Sequence, residues 1–452
     1  MVLEVIILAA GKGSRMQSTL PKVLHALAGV PLLQHVINTA KKLNPRAIHV
    51  VVGHGADAVR TAFLEESVLF HEQADQLGTG HAVMQAIPHC QSNSVVLVLY
   101  GDVPLIQTKT LSALCEAATQ SPAMLSTLLE KPDGYGRVVR DAQGCFHAVV
   151  EDKDATQDQR HIKEVNTGIL AAPVNLLTTL LKQVTNTNQQ REYYLPDILG
   201  LARAGGLSVS IHTTSDIIEV LGVNDRLQLE ALERAAQQRY AEALMRQGVA
   251  ISDRRRIDIR GELICGEGVS VDVNTVFEGR VVLGDDVKIG AHCVLKDTEI
   301  AAGSVIEPFC HIESAVIGQN CQVGPYARLR MGTRLDPTSK VGNFVETKNT
   351  KVGEGSKANH LAYLGDADIG AGANIGAGTI TCNYDGANKH STRLGDRVFV
   401  GSNSTLVAPV VIEDDGFVGA GSVITDNVTR GELAVGRARQ RNISGWQPPK
   451  KN

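Results

Sequence analysis

The chain has 452 residues, 43% apolar and only 4% aromatic, with a formal net charge of -4. That length predicts two or three domains with substantial cores, and the weakly acidic balance argues against nucleic acid as a main partner. Eight cysteines are scattered with no C-x-x-C pair and no His/Cys cluster at zinc spacing, so they read as reduced core residues of a cytosolic protein.

The opening run, Met1 to Leu8, lacks the basic region and cleavage site of a signal peptide, and no apolar run reaches membrane-spanning length. A cytoplasmic location without integral membrane contact is therefore expected. From there to residue 223, strand-like and helix-like runs alternate: 5–10 a buried strand, 31–43 a helix with apolar Leu32, Leu33, Val36 and Ala40, then strands at 48–52 and 95–100. The alternation predicts a mostly parallel α/β sheet, whose ligands bind beyond the carboxyl ends of the strands.

That rule directs attention to the residues just after Ala10 and Tyr100. Gly11-Lys12-Gly13-Ser14-Arg15-Met16 with Pro21-Lys22 is neither a Walker loop nor a dinucleotide-binding loop. Small residues nevertheless let backbone N–H groups approach phosphates, and Arg15 and Lys22 add positive charge. Tyr100-Gly101-Asp102 places a carboxylate at a strand end, where a turn or cap is the plain role and a Mg²⁺ site the sharper one.

The string Leu8-Ala9-Ala10-Gly11-x-Gly13-x-Arg15-Met16 with Pro21-Lys22 resembles the signature of the sugar-phosphate nucleotidyltransferases. The resemblance implies that Gln73, Gly78 and Thr79 read uracil, and that Asp102 and the distant Asn224 hold Mg²⁺. It also implies that Gly136, Glu151 and Asn166 contact the sugar, and that Arg15 and Lys22 promote transfer of UMP from UTP. Phosphoryl transfer of this kind needs positioning and cations, with no covalent enzyme intermediate.

Residues 224–247 are dense in helix formers, and predict a linker helix with a narrow apolar face through Leu227, Ala231, Arg234, Gln238 and Ala241. Arg254-Arg255-Arg256 reads as a solvated charge run.

Beyond the linker, an apolar residue returns every six positions. Of the 14 positions reached by stepping from Leu263 to Val341, 11 are apolar, against about six expected by chance. The phase slips between Val341 and Ile369, then resumes at Leu394, Val400, Leu406, Ile412, Val418 and Ile424. A helical period of about 3.6 cannot produce this; one flat face of a parallel β-solenoid can. His311 falls on an inward position of that repeat. The pattern resembles the hexapeptide-repeat acyltransferases, which implies a left-handed β-helix and a homotrimer.

Polar groups gather where the phase slips: Arg330, Glu346, Lys348, His360, Tyr363, Asn374, Asn383 and Tyr384. Acetyl transfer to an amine needs a proton acceptor, usually histidine at neutral pH. The runs 343–346, 355–366 and 374–386 closely resemble the acetyltransferase half of a bifunctional family, the N-acetylglucosamine-1-phosphate uridyltransferase/glucosamine-1-phosphate acetyltransferases. That resemblance implies His360 as general base, with Arg330, Lys348, Tyr363 and Asn374 on the amino-sugar phosphate. It further implies Ala377, Asn383, Tyr384, Ser402, Ala420 and Arg437 along the acetyl-CoA path. Met331 and Ala362 depart from the family pattern, which uses proline and a hydroxyl residue there. Trp446 before the frayed tail reads as a packing residue.

The sequence thus predicts an α/β nucleotidyltransferase domain with a Rossmann-like mixed sheet (1–223), a linker helix (224–247) and a left-handed β-helix acetyltransferase domain (248–452). The expected substrates are glucosamine-1-phosphate, acetyl-CoA, N-acetylglucosamine-1-phosphate and UTP, and the expected product is UDP-N-acetylglucosamine for envelope polysaccharides. The alternative is a nucleotidyltransferase whose hexapeptide domain is only an oligomerisation scaffold.

Overall fold

The computed structural model describes residues 2–449, in two compact units divided between Ala236 and Gln237. Lys450, Lys451 and Asn452, the end of the predicted tail, lie outside the described residues.

The first unit is built on strands β1 (Leu3–Ala9), β2 (Ala47–Val52), β3 (Leu69–Glu72), β4 (Val95–Tyr100) and β5 (Ala123–Leu128). It continues with a hairpin, β6 (Arg137–Arg140) and β7 (Phe146–Val150), then β8 (Glu164–Pro173) and β9 (Ser210–Thr214). The sheet order is β9-β5-β8-β4-β1-β2-β3, with the hairpin attached to β8. Strands β1 to β4 run parallel, because each is followed by a crossover whose helix or loop must return across the sheet. β8 inserts antiparallel between β4 and β5, so the sheet is mixed. Its register breaks between Asn166 and Leu170, which frees this stretch from the ladder beside the end of β4. Strands buried on both faces explain the unbroken apolar runs, and each face carries its own apolar cluster. Helix α1 (Leu32–Lys41) buries Leu32, Leu33, Val36, Ile37 and Ala40 on one side, and α2 (Thr79–Ala86) buries Ala82, Val83 and Ala86 on the other.

Helix α3 (Arg226–Arg246) contains the division between the units. Of the predicted apolar face Ala241 is buried, but Leu227, Ala231, Arg234 and Gln238 are exposed, Leu227 at 82%, and the face that is buried runs through Leu232, Ala236, Gln237, Ala241 and Leu244. A glutamine belongs on that face because its amide completes a peptide-like pair. Gln237 Nε2 donates to the Ile259 carbonyl at 2.8 Å and its Oε1 accepts from the Ile259 N–H at 2.7 Å. Pattern reading by hydrophobicity alone misses this.

The second unit is a parallel β-helix. Each short strand pairs in parallel with the strand one coil later, as Val276 with Val294 and Asn343 with His360. Each flat face turns two residues inward, such as Thr275/Phe277 and Val281/Leu283. The six-residue repeat holds within a coil, but some coils are one residue short. The inward pair Cys293/Leu295 is followed by Thr298/Ile300, five residues on, and Cys310/Ile312 likewise by Ala315/Ile317. The six-residue step therefore leaves the interior at Glu299 and re-enters at Ile317. His311, expected inward, is exposed, and Ile312 takes its place. Corners are made by single left-handed residues, including Phe344, Leu361, Gly378, Asn403 and Gly421. Trp446, expected to pack, is 67% exposed.

Candidate active sites

At the carboxyl ends of β1 and β4, the first unit encloses a cavity of about 220 Å³ lined by Leu8, Ala9, Ala10, Gly11, Lys22, Gln73, Gly78, Thr79, Tyr100 and Asp102. Nothing lies within 4 Å of where a Gly11 Cβ would stand, so that loop presents open backbone to a ligand. Gly13 turns at φ 58°, and a Cβ there would come within 2.7 Å of Lys22 Cβ. The glycine is what lets Lys22 cross under the loop. Lys22 Nζ bonds Asp102 Oδ2 and also donates to Asn224 Oδ1 at 3.2 Å. Two oxygens from residues far apart in sequence thus converge on one cationic centre. The Val223 N–H, which donates to the Asp102 carbonyl at 2.9 Å, locks the two segments together. A carboxylate and an amide oxygen aimed at one point suit a hard divalent cation.

One end of the cavity is held by Gln73, only 3% exposed, whose Nε2 donates to the Gly78 carbonyl at 3.0 Å. That bond leaves the amide oxygen as the acceptor Gln73 can offer. The 188–197 segment closes over this end: Gly80 N–H donates to the Tyr193 carbonyl at 2.8 Å, and Glu192 joins the lining. Glu192 had no signal in the sequence, because it enters through this long-range backbone contact, whereas Gln76 lies in the same loop as Gln73 and Gly78.

Gly136, Glu151 and Asn166 come together beside Tyr100. The Asn166 N–H donates to the Gly136 carbonyl at 2.8 Å, and a Gly136 Cβ would stand 3.1 Å from Glu151 Oε1. Gly168, at φ 84°, passes so close to the Tyr100 ring that a Cβ would lie 2.6 Å from it. Burial, then the neighbouring Asp197, Asp154, Asp152 and Glu192, pushes the Glu151 carboxyl upward. Burial likewise raises the Tyr100 phenol, which stays a neutral hydroxyl. Gly101 is anchored by its N–H to the Leu8 carbonyl at 2.9 Å. Arg15 is exposed in the turn Ser14–Met16 and does not line the cavity.

In the second unit, His360 Nδ1 lies 2.7 Å from Asn343 Oδ1, its register partner one coil back. The amide oxygen only accepts, so Nδ1 carries the proton and Nε2 keeps its lone pair free. On the neighbouring face Arg330 Nη1 donates to Glu346 at 2.9 Å, and Glu346 pairs in register with Tyr363. Lys389 beside Lys348, then lost solvation and Arg330, lower the Lys348 pKa. Arg330, Lys348 and Lys389 thus form a cationic group fit for a phosphate. Asn374 stands in register one coil beyond Lys357, and Asn383 is tied to Asp366. Asp385 opens the loop that follows Tyr384: it accepts from the Ala387 and Asn388 N–H groups and from His390, bonds that hold its carboxyl well below the ordinary range. Lys389 and the Asn343 partnership went unread in the sequence, although the loop and the 17-residue return both mark them.

His360, Ala377, Ser402 and Ala420 each precede a left-handed corner residue, on four consecutive coils. The Leu361 carbonyl accepts from Gly378 at 2.7 Å, Ala377 from Asn403 at 2.7 Å, and Ser402 from Gly421 at 2.8 Å. A Gly421 Cβ would lie 3.7 Å from Arg437 Cδ, so the column of small residues ends at a cation. Of the two departures, Met331 is 57% exposed and Ala362 is buried inward at 5%. A methyl at the second position suits the apolar interior.

Residues 5–251 match the family model described as "MobA-like NTP transferase domain", 259–335 "GMPPB C-terminal domain" and 391–426 "Hexapeptide repeat of succinyl-transferase". Fold and matches together define a class: an NTP-transferase domain followed by hexapeptide coils. The proteins named "Bifunctional protein GlmU" from Marinobacter nauticus and Stutzerimonas stutzeri are each 54% identical to it, over 99% and 100% of both chains, and that from Chromobacterium violaceum is 52% identical over 99% of both. The chain belongs to the GlmU family. No helix among the described residues is long and apolar enough to cross a membrane.

Proposed function

We propose that the chain is a bifunctional enzyme of UDP-N-acetylglucosamine synthesis, with acetyl transfer in the β-helix and uridylyl transfer in the α/β unit. The observation that carries this reading is that each unit has its own distinct polar constellation: a His360–Asn343 pair in one, the Lys22–Asp102–Asn224 convergence in the other.

In the acetyltransferase, Arg330, Lys348 and Lys389 bind the phosphate of glucosamine-1-phosphate, and Tyr363 and Asn374 orient the amino sugar. His360 Nε2 takes the proton of the attacking amine, and Asn343 holds the tautomer that makes this possible. The acetyl-CoA chain runs along Ala377, Ser402 and Ala420, where small side chains admit it, toward Arg437. Asn383 and Tyr384 stand at the thioester end.

In the uridylyltransferase, Gln73 Oε1 accepts from the uracil ring, Gly78 and Thr79 bound the base, and Leu8 to Gly11 pass backbone along the phosphates. Asp102 and Asn224 hold Mg²⁺, which supplies charge neutralisation on the phosphates. Lys22, released from its two oxygens, and Arg15 stabilise the charge that develops as pyrophosphate leaves. Gly136, Glu151 and Asn166 receive the hydroxyls and N-acetyl group of N-acetylglucosamine-1-phosphate.

The working assembly is a cytoplasmic homotrimer formed through the β-helices. His360, Ser402 and Ala420 are exposed on one chain and Ala377 is half-buried, which supports completion of the site by a neighbouring copy. The test is thiol release from acetyl-CoA on adding glucosamine-1-phosphate alone. Release supports the bifunctional reading; none, with uridylyl transfer intact, favours the scaffold alternative.

A further inference from the structure

At the amino end of the central strands, opposite the nucleotide cavity, the sheet buries a polar cluster that neither reaction uses. Glu4 on β1 and His49 on β2 are both 0% exposed, and Cys90 reaches them from the turn after Ile87–His89. One carboxylate oxygen, one imidazole nitrogen and the Cys90 sulfur lie within 4.8 Å of one another. Glu4 Oε1 is already taken, by Arg46 Nη1 at 2.9 Å and the Gln91 N–H at 3.1 Å, whereas Oε2 meets, among the described residues, His49 Nε2 at 3.2 Å. The other imidazole nitrogen, Nδ1, lies 2.9 Å from His71 Nε2, and the His71 ring lies against that of His89, 4.6 Å between centroids and tilted by 31°.

We propose that Glu4 Oε2, His49 Nε2 and Cys90 Sγ form a binding site for one zinc-class divalent ion. Mixed O, N and S donors select a borderline-soft ion over Mg²⁺ or Ca²⁺, and three protein ligands leave a fourth position for water. The partnership of His49 Nδ1 with His71 is the arrangement that orients a metal-bound imidazole. Binding shifts the His49 proton from Nε2 to Nδ1, where His71 Nε2 accepts it, with the His71 proton on its Nδ1. The Cys90 thiol gives up its proton to solvent, so one proton leaves per metal bound. The ion ties β1, β2 and the segment before β4 together, as a structural clamp.

The test is Co²⁺ titration of the full chain with Mg²⁺ in excess to fill the oxygen-donor site. One equivalent bound with a thiolate-to-metal charge-transfer band, lost in Cys90→Ser and in His49→Gln, is the expected result. Retained uridylyl transfer in Cys90→Ser shows that the variant is folded. No charge-transfer band in the wild-type chain, or a band unchanged in folded Cys90→Ser, overturns the proposal.

Discussion

Three side chains illustrate how position sets chemistry at the scale of single residues. Lys22 reaches the cavity because Gly13 has no side chain to block it, and Asp102 and Asn224 hold it there. Lys22→Ala, Asp102→Ala and Arg15→Ala are expected to abolish uridylyl transfer and leave acetyl transfer unchanged, as read by separate pyrophosphate and thiol assays. His360→Ala should lower acetyl transfer by about 10²–10⁴-fold, the usual worth of a general base, and spare uridylyl transfer. Asn343→Ala removes only the tautomer control, so kcat should fall roughly tenfold or more with KM nearly constant. Loss of both activities in His360→Ala would contradict the separation of the sites. Glu151 presents a different balance. Its folded pKa is raised, so its contribution to stability is present at low pH and lost as pH rises through the folded value. Glu151→Gln should therefore raise Tm at neutral pH, flatten the loss of Tm between acid and neutral pH, and raise KM for the sugar phosphate.

At the scale of elements, the glycine loop after β1 and the carboxylate after β4 were legible because strand ends carry ligands and the motif residues are contiguous. The β-helix was legible from its six-residue repeat, yet the inward set was not fully so. A corner one residue shorter keeps every turn of the coil intact while moving the inward residue back by one, as at Thr298 and Ala315. Such slips show in the count only as the polar Glu299 and His311, and an unbroken six-residue step still places His311 inward. Helix α3 is misphased for a related reason: its buried face includes Gln237, polar in composition but fully paired with Ile259. Gln237→Leu strands a buried N–H and a buried carbonyl, and should destabilise the β-helix unit by about 1–3 kcal/mol in chemical denaturation. A variant as stable as the parent would mean that this pair contributes nothing. The antiparallel β8 had no local signal, since its direction is set by partners distant in sequence.

Across the whole molecule, one chain carries two kinds of machinery with different demands. The α/β unit builds its cavity from strand-end loops, where the open backbone at Gly11 and the cationic Lys22 face the same space. The β-helix repeats one corner geometry coil after coil, so His360, Ala377, Ser402 and Ala420 form a column without any long loop to aim them. The product of one site is the substrate of the other, which gives a reason for joining them. The most direct measurement is mass-spectrometric product analysis after mixing the purified chain with glucosamine-1-phosphate, acetyl-CoA, UTP and Mg²⁺. UDP-N-acetylglucosamine, with free coenzyme A and pyrophosphate, is the predicted outcome. Absence of that product, when N-acetylglucosamine-1-phosphate is also left unconverted, would contradict the account.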